Sequence, residues 1–69
     1  MFIVFVIQHK SKRLTEIGIS ENLQDSIAYF SKKHSVKKDS DWKIVLQEKY
    51  KGKKHAMIRL KQLKKQMFK

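Results

Sequence analysis

Sixty-nine residues make a single domain, 1–69, and a chain this short buries only about 60 percent of the surface its unfolded form exposes, so its stability is marginal. Cysteine is absent, which excludes a disulfide framework and a thiolate zinc site and reads as an intracellular, cytoplasmic chain. Seventeen Lys and Arg against six Asp and Glu give a net charge of +11, and the excess is concentrated: residues 1–48 hold eight basic and six acidic side chains, residues 49–69 nine basic and none acidic. Such a segment attracts polyanions over about a Debye length, roughly 8 Å at physiological salt. Nucleic acid is therefore the expected partner.

The apolar opening MFIVFVI falls short of the roughly 20 residues that cross a bilayer, and it lacks the basic n-region and small-residue cleavage site of a signal peptide. It reads as a strand over 2–8. Nearly every position is β-branched or aromatic, the pattern of a strand covered on both faces at the centre of a sheet. Polar residues 9–13 turn the chain into a second strand over 14–19, giving an antiparallel hairpin in which Gly18 marks a bulge or the close approach of another backbone. Asn22 is placed to cap a helix running to about His34, with Asp25 three residues on completing a capping-box pattern and Leu23, Ile27 and Phe30 as its buried stripe. Residues 35–41 read as loop. Trp42, Ile44 and Leu46 then alternate with polar or smaller residues as a third strand through Tyr50, and Gly52 ends it. From about Lys53, Ala56, Leu60, Leu63 and Met67 fall on one side of a second helix, while Arg59, Lys61, Lys65 and Lys69 fall largely on the other. The sum is an α+β domain, a small three-stranded antiparallel sheet with two helices in the order ββαβα, whose C-terminal helix is basic.

In that order, MFIVFVI, EIGISENLQDSI, WKIVLQEKY and AMIRLKQLKK together resemble the GIY-YIG nuclease domain over nearly the whole chain. The segment 17–27, IGISENLQDSI, resembles the family's strand, Ile-Gly, short turn, Asn-Leu and helix entry, and Gln62-Leu63-Lys64-Lys65 adds a weaker match. In active members the site consists of a tyrosine of the first strand, a second tyrosine before the Ile-Gly, a helix arginine, often a histidine or tyrosine one turn later, and a metal-binding glutamate on a later helix. The resemblance puts Phe5, Glu16, Ser26, Phe30 and Leu60 at those positions. Serine lacks the charge that stabilises a phosphorane-like transition state, leucine cannot ligate magnesium, and no arginine lies between Arg13 and Arg59 to substitute. The resemblance thus implies a GIY-YIG-like fold without the activity, with no catalytic residue, no metal and no cofactor.

Other constellations are weaker. His9, His34 and His55 belong to three different elements without ligand spacing, so solvated or phosphate-facing histidines are expected rather than a metal site. Glu16 and Glu48 would form an acid pair only by meeting across the sheet, and solvated or lysine-paired carboxylates are the expectation. Ser20, Ser26 and Ser31 have no recognisable base beside them. Trp42 and Phe30 stand in apolar periodicity and read as core, which leaves Tyr29 and Tyr50 as aromatic side chains for base stacking. Met57, Leu60, Leu63, Met67 and Phe68 would suit a helix lying on anionic lipid, but in so small a domain that side is needed for the core.

A face kept for solubility mixes charge signs, and residues 49–69 do not. The leading expectation is a non-catalytic structural protein that binds RNA in preference to DNA. Its most concrete form is a small ribosomal protein neutralising ribosomal RNA beside the neighbouring proteins of a ribonucleoprotein assembly. Lys51, Lys53, Lys54, Arg59, Lys61, Lys64 and Lys65 are the main expected contacts. Lys10, Lys12 and Arg13 in the hairpin turn and Lys32, Lys33, Lys37 and Lys38 around the end of the first helix are secondary. With only two arginines, bidentate base recognition is a minor theme. The alternatives are a DNA-binding accessory module, a weakly active nuclease with a displaced site, and an inhibitor or adaptor whose sheet face binds a protein.

Overall fold

A computed structural model describes residues 1–67, apart from the side chains of Asp39 and Met67. Phe68 and Lys69, together with the expected packing of Met67, lie outside the described residues. The elements follow the expected order: β1 (Phe2–His9), β2 (Thr15–Ser20), α1 (Leu23–Lys33), one 3₁₀ turn (Asp39–Asp41), β3 (Trp42–Tyr50) and α2 (Lys53–Met67). They form an α+β fold whose antiparallel sheet is ordered β2-β1-β3. As its composition implies, β1 is central and covered on both sides. Val4 and Val6 pack with Ala56, Leu60 and Leu63 of α2, whereas Phe5 and Ile7 point the other way, to Ile27 of α1, Val36 and Trp42. A fully buried large apolar side chain contributes roughly 1.5–3 kcal/mol. The four fully buried side chains of β1, Val4 to Ile7, therefore hold both small cores to one strand.

The third strand departs from simple alternation. Val6 pairs with Leu46 but Ile7 with Ile44, so Val45 is an extra residue, a bulge. The bulge reverses side-chain parity, sending Leu46 to the α2 core and Trp42 to the α1 core. Alternation alone would put Trp42, Ile44 and Leu46 on one face. Instead Ile44 and Val45 are 44% and 52% exposed on an edge strand.

Gly18 is neither bulged nor pressed against another backbone. It pairs regularly with Phe5, and a Cβ there would lie 2.8 Å from Phe5 Cζ. That ring is buried and meets Phe30 edge-on at 6.2 Å. Gly18→Ala is expected to destabilise the domain by about 1–3 kcal/mol, because the ring has no space to yield into. An unmoved denaturation midpoint would contradict this packing.

The ends of α1 are closed locally. Asn22 Oδ1 accepts the N–H groups of Gln24 at 3.0 Å and Asp25 at 3.4 Å, as expected of an N-cap. The reciprocal half of the box is supplied by Ser20 rather than Asp25: Asn22 N–H donates to Ser20 Oγ at 3.0 Å, and that hydroxyl donates to Asn22 O at 2.7 Å. At the C-terminus Ser35 takes a left-handed φ of 56°, and the N–H groups of Ser35 and Val36 return to Lys32 O at 3.3 Å and Ser31 O at 2.7 Å. This Schellman closure delivers Val36 to the α1 core. Part of the segment expected as loop is thereby built into the fold.

Candidate nucleic-acid interface

Two basic surfaces emerge, with different constructions. The first is α2. Ala56, Leu60 and Leu63 are buried, and the helical repeat puts Lys54, Lys61 and Lys65 opposite them, with Lys53 and Lys64 on one flank. All five are exposed, as is Lys51 in the preceding connection. Among them stand Ile58, 48% exposed, and the partly exposed Met57. Leu60 and Leu63 belong to the core and are not free to enter a lipid surface. Among the described residues no helix is long and apolar enough to cross a membrane. The first turn of α2 has no acidic residue, and Gly52, whose carbonyl accepts the Ala56 N–H at 3.3 Å, brings no capping side chain. Lys53 and Lys54 thus add to the positive end of the helix dipole, which costs helix stability and strengthens the local field.

Arg59 lies on the other flank and is not a sister of these lysines. Its Nε donates to Glu48 Oε1 at 2.9 Å and its Nη2 to Oε2 at 3.2 Å, while the Tyr50 hydroxyl donates to Oε1 at 2.6 Å. Expected as a phosphate contact, Arg59 is instead clamped to β3. The Tyr50 and Arg59 hydrogen bonds hold the Glu48 carboxyl below the usual carboxylate range, and the bond to Glu48 pushes the Tyr50 phenol up. A lowered folded pKa at Glu48 gives stability that is present above the ordinary carboxylate range and lost as pH falls through the folded value. A raised one at Tyr50 gives stability present below about pH 10 and lost as pH rises. Glu48→Gln is therefore expected to flatten both limbs of the stability profile and to return the Tyr50 phenol toward its ordinary titration. An unaltered phenolate absorbance titration would contradict the clamp.

Glu16 and Glu48 do not meet. Glu16 pairs opposite Ile7 and Glu48 opposite Val4, so they occupy opposite faces of the sheet. Glu16 accepts from His34 Nε2 at 2.6 Å and has Lys33 Nζ at 3.9 Å. Phe5 and Phe30 lie on the same face as Glu16, with the half-buried Ser26 on α1, whereas Leu60 is in the core beneath α2. The positions set by the nuclease resemblance therefore do not converge on one face. Among the described residues no three His, Cys, Asp or Glu side chains come together. Of the two tyrosines, Tyr50 is engaged by Glu48, and Tyr29 is 62% exposed with its ring edge-on to Phe30 at 5.2 Å. Trp42 is core, as expected, with its indole N–H donating to Ser31 Oγ at 2.9 Å.

The second basic surface is assembled at the turn end of the sheet from segments far apart in sequence. Lys10, Lys12 and Arg13 of the β1–β2 turn join Lys43, which the register sets beside Gln8. With His9 and Ser11 they line a depression of about 460 Å³. A second depression of about 260 Å³ adjoins it, between His9, Ser11 and Lys12 on one side and Val36, Lys37 and Asp41 on the other. Lys32 and Lys38 are exposed nearby in sequence but line neither depression. Lys43 is a basic residue that sequence reading left out, since only the β1–β3 register brings it to the hairpin turn. Compared with known proteins, the chain matches no family, no curated protein and no solved structure.

Proposed function

We propose that the chain is a non-catalytic nucleic-acid-binding protein that binds RNA as a structural component of a ribonucleoprotein assembly, most concretely the ribosome, among neighbouring proteins. The observation that carries this reading is uncompensated charge. Among the described side chains, the lysine and arginine groups within ion-pair reach of a carboxylate are Lys33 and Arg59, and the lysines of α2 and the turn end face solvent. A like-charged surface repels itself and is stabilised by a polyanion, which releases counterions as it binds. Lysine far outnumbers arginine, which suits neutralisation of backbone phosphates and reading of shape more than reading of base edges. The non-catalytic part is supported by the burial of Phe5 and Leu60 and the engagement of Glu16 by His34.

Gradient fractionation of a native lysate at moderate and high salt, following the chain by mass spectrometry, tests the reading. Stoichiometric migration with a ribosomal subunit is the expected result. Migration at the top of the gradient, with DNA cleavage that needs magnesium and stops with a chelator, would replace it by the nuclease alternative.

A further inference from the structure

We infer that the depression at the turn end of the sheet is a discrete phosphate-binding site, different in kind from the lysine face of α2. The inference rests on the nucleic-acid reading only for the source of the phosphate; the site itself stands on three features of the structure. Cations converge there from separate segments: Lys10, Lys12 and Arg13 from the turn and Lys43 from β3 line the larger depression, and Lys37 from the loop after α1 lines the smaller one beside it. Among the described side chains no carboxylate lines the larger depression, and Asp41 is the one at the smaller. Among the described side chains, Arg13 is an arginine without a carboxylate partner, so its planar fork is open to two phosphate oxygens at once.

The second feature is His9, which lines both depressions although it is only 6% exposed. Its Nδ1 accepts the N–H groups of Ser11 at 3.1 Å and Lys12 at 2.9 Å. An acceptor at Nδ1 puts the ring proton on Nε2. Nε2 has no partner among the described residues, yet none of their fully enclosed side-chain nitrogens lacks one. The Nε2–H is therefore a nearly buried donor on a ring that lines both depressions.

Rigidity is the third feature. Lys10 N–H donates to Asp41 O and His9 N–H to Leu14 O, both at 2.9 Å, and the His9 ring packs edge-on to Trp42 at 5.5 Å. The turn is thus fixed before any ligand arrives, which lowers the ordering cost of binding. The lysines of α2 stand instead on the exposed, convex face of a helix. The volume of about 460 Å³ lies in the range of small-ligand sites, and the charged lining selects the phosphate group of a nucleotide, either a backbone phosphodiester at a sharp bend or a terminal monoester.

The test uses the full chain in two titrations. In amide and imidazole NMR spectra, inorganic phosphate replaces chloride at constant ionic strength. Saturable shifts centred on the Ser11 and Lys12 amides and the His9 imidazole are expected, and small non-saturating shifts spread over all lysines would overturn the site. Arg13→Gln with Lys43→Gln is expected to weaken phosphate at least about tenfold, from the loss of charged hydrogen bonds. His9→Asn, whose Oδ1 can still accept from the turn, is expected to weaken phosphate severalfold with an unchanged circular dichroism spectrum. Phosphate binding that is intact in both variants would also overturn the site. In the second titration, a 5′-phosphorylated oligoribonucleotide that binds tighter than its 5′-hydroxyl form and shifts the turn-end residues identifies a terminal monoester. Equal affinities with the same shifts identify the backbone, and RNA binding that leaves those residues unshifted overturns the proposal while the nucleic-acid reading stands. Saturable phosphate binding without RNA binding would do the reverse.

Discussion

Lys53, Lys54 and Lys61 changed together to glutamate are expected to weaken RNA binding at least a hundredfold and to leave the far-ultraviolet circular dichroism spectrum intact. All three side chains are exposed on α2 and none is among its buried contacts. A hydrogen bond to a charged group is worth about 1.5–3 kcal/mol, so the loss of three such contacts, with repulsion in their place, exceeds a hundredfold even at the lower figure. The helix itself gains: acidic residues in the first turn of α2 favour its dipole by about 0.3–1 kcal/mol each, so the variant melts no earlier than the parent. Retained affinity would shift the whole interface away from α2. Lost dichroism would instead assign these lysines a structural role.

Trp42→Ala is the substitution expected to damage the fold most. Removal of a buried tryptophan costs about 3–5 kcal/mol, against a total of roughly 0.05–0.15 kcal/mol per residue for a natural domain. Over 69 residues that total is only about 3–10 kcal/mol. Trp42 joins three parts of the structure at once: it sits in the α1 core, donates to Ser31 on α1 and packs on His9 at the turn. The variant is expected to lose most of its cooperative thermal transition and to regain part of it when RNA is added, because a ligand of the folded form stabilises by mass action. A transition as sharp and as high as the parent's would contradict the placement of Trp42.

The order of elements was legible because each carries a strong local signal. The apolar run of 2–8 marks a strand covered on both faces, the Asn22 cap marks the start of α1, and the Leu23, Ile27 and Phe30 stripe and the Ala56, Leu60 and Leu63 stripe mark the buried faces of α1 and α2. What escaped depends on contacts between elements. The bulge at Val45 lets Trp42 fill one core and Leu46 the other, a choice that alternation within one strand does not encode. Gly18 answers to the Phe5 ring on the neighbouring strand. Ser35 ends α1 in a conformation that glycine would normally announce.

The candidate interface was legible as charge and less so as geometry. Counting placed Arg59 with the lysines, whereas the bidentate bond to Glu48 removes it from them. Counting also gives the turn residues Lys10, Lys12 and Arg13 second rank and passes over Lys43, because a depression formed from two segments far apart in the chain has no sequence period. His9 read as a solvated or phosphate-facing side chain. Its nearly complete burial and the fixed acceptor role of Nδ1 appear only once the turn is folded around it.

If the unpaired lysines hold RNA through its phosphates, RNA affinity depends steeply on salt. With the whole chain and a single-stranded RNA, the logarithm of the binding constant is expected to fall linearly with the logarithm of salt concentration, with a slope of about −0.7 per phosphate neutralised. Engagement of the α2 lysines and the turn end together predicts a slope of about −4 or steeper. An affinity that barely changes between low and high salt would mean that the lysines do not hold RNA phosphates, since no arrangement of surface lysines on phosphate is insensitive to counterions.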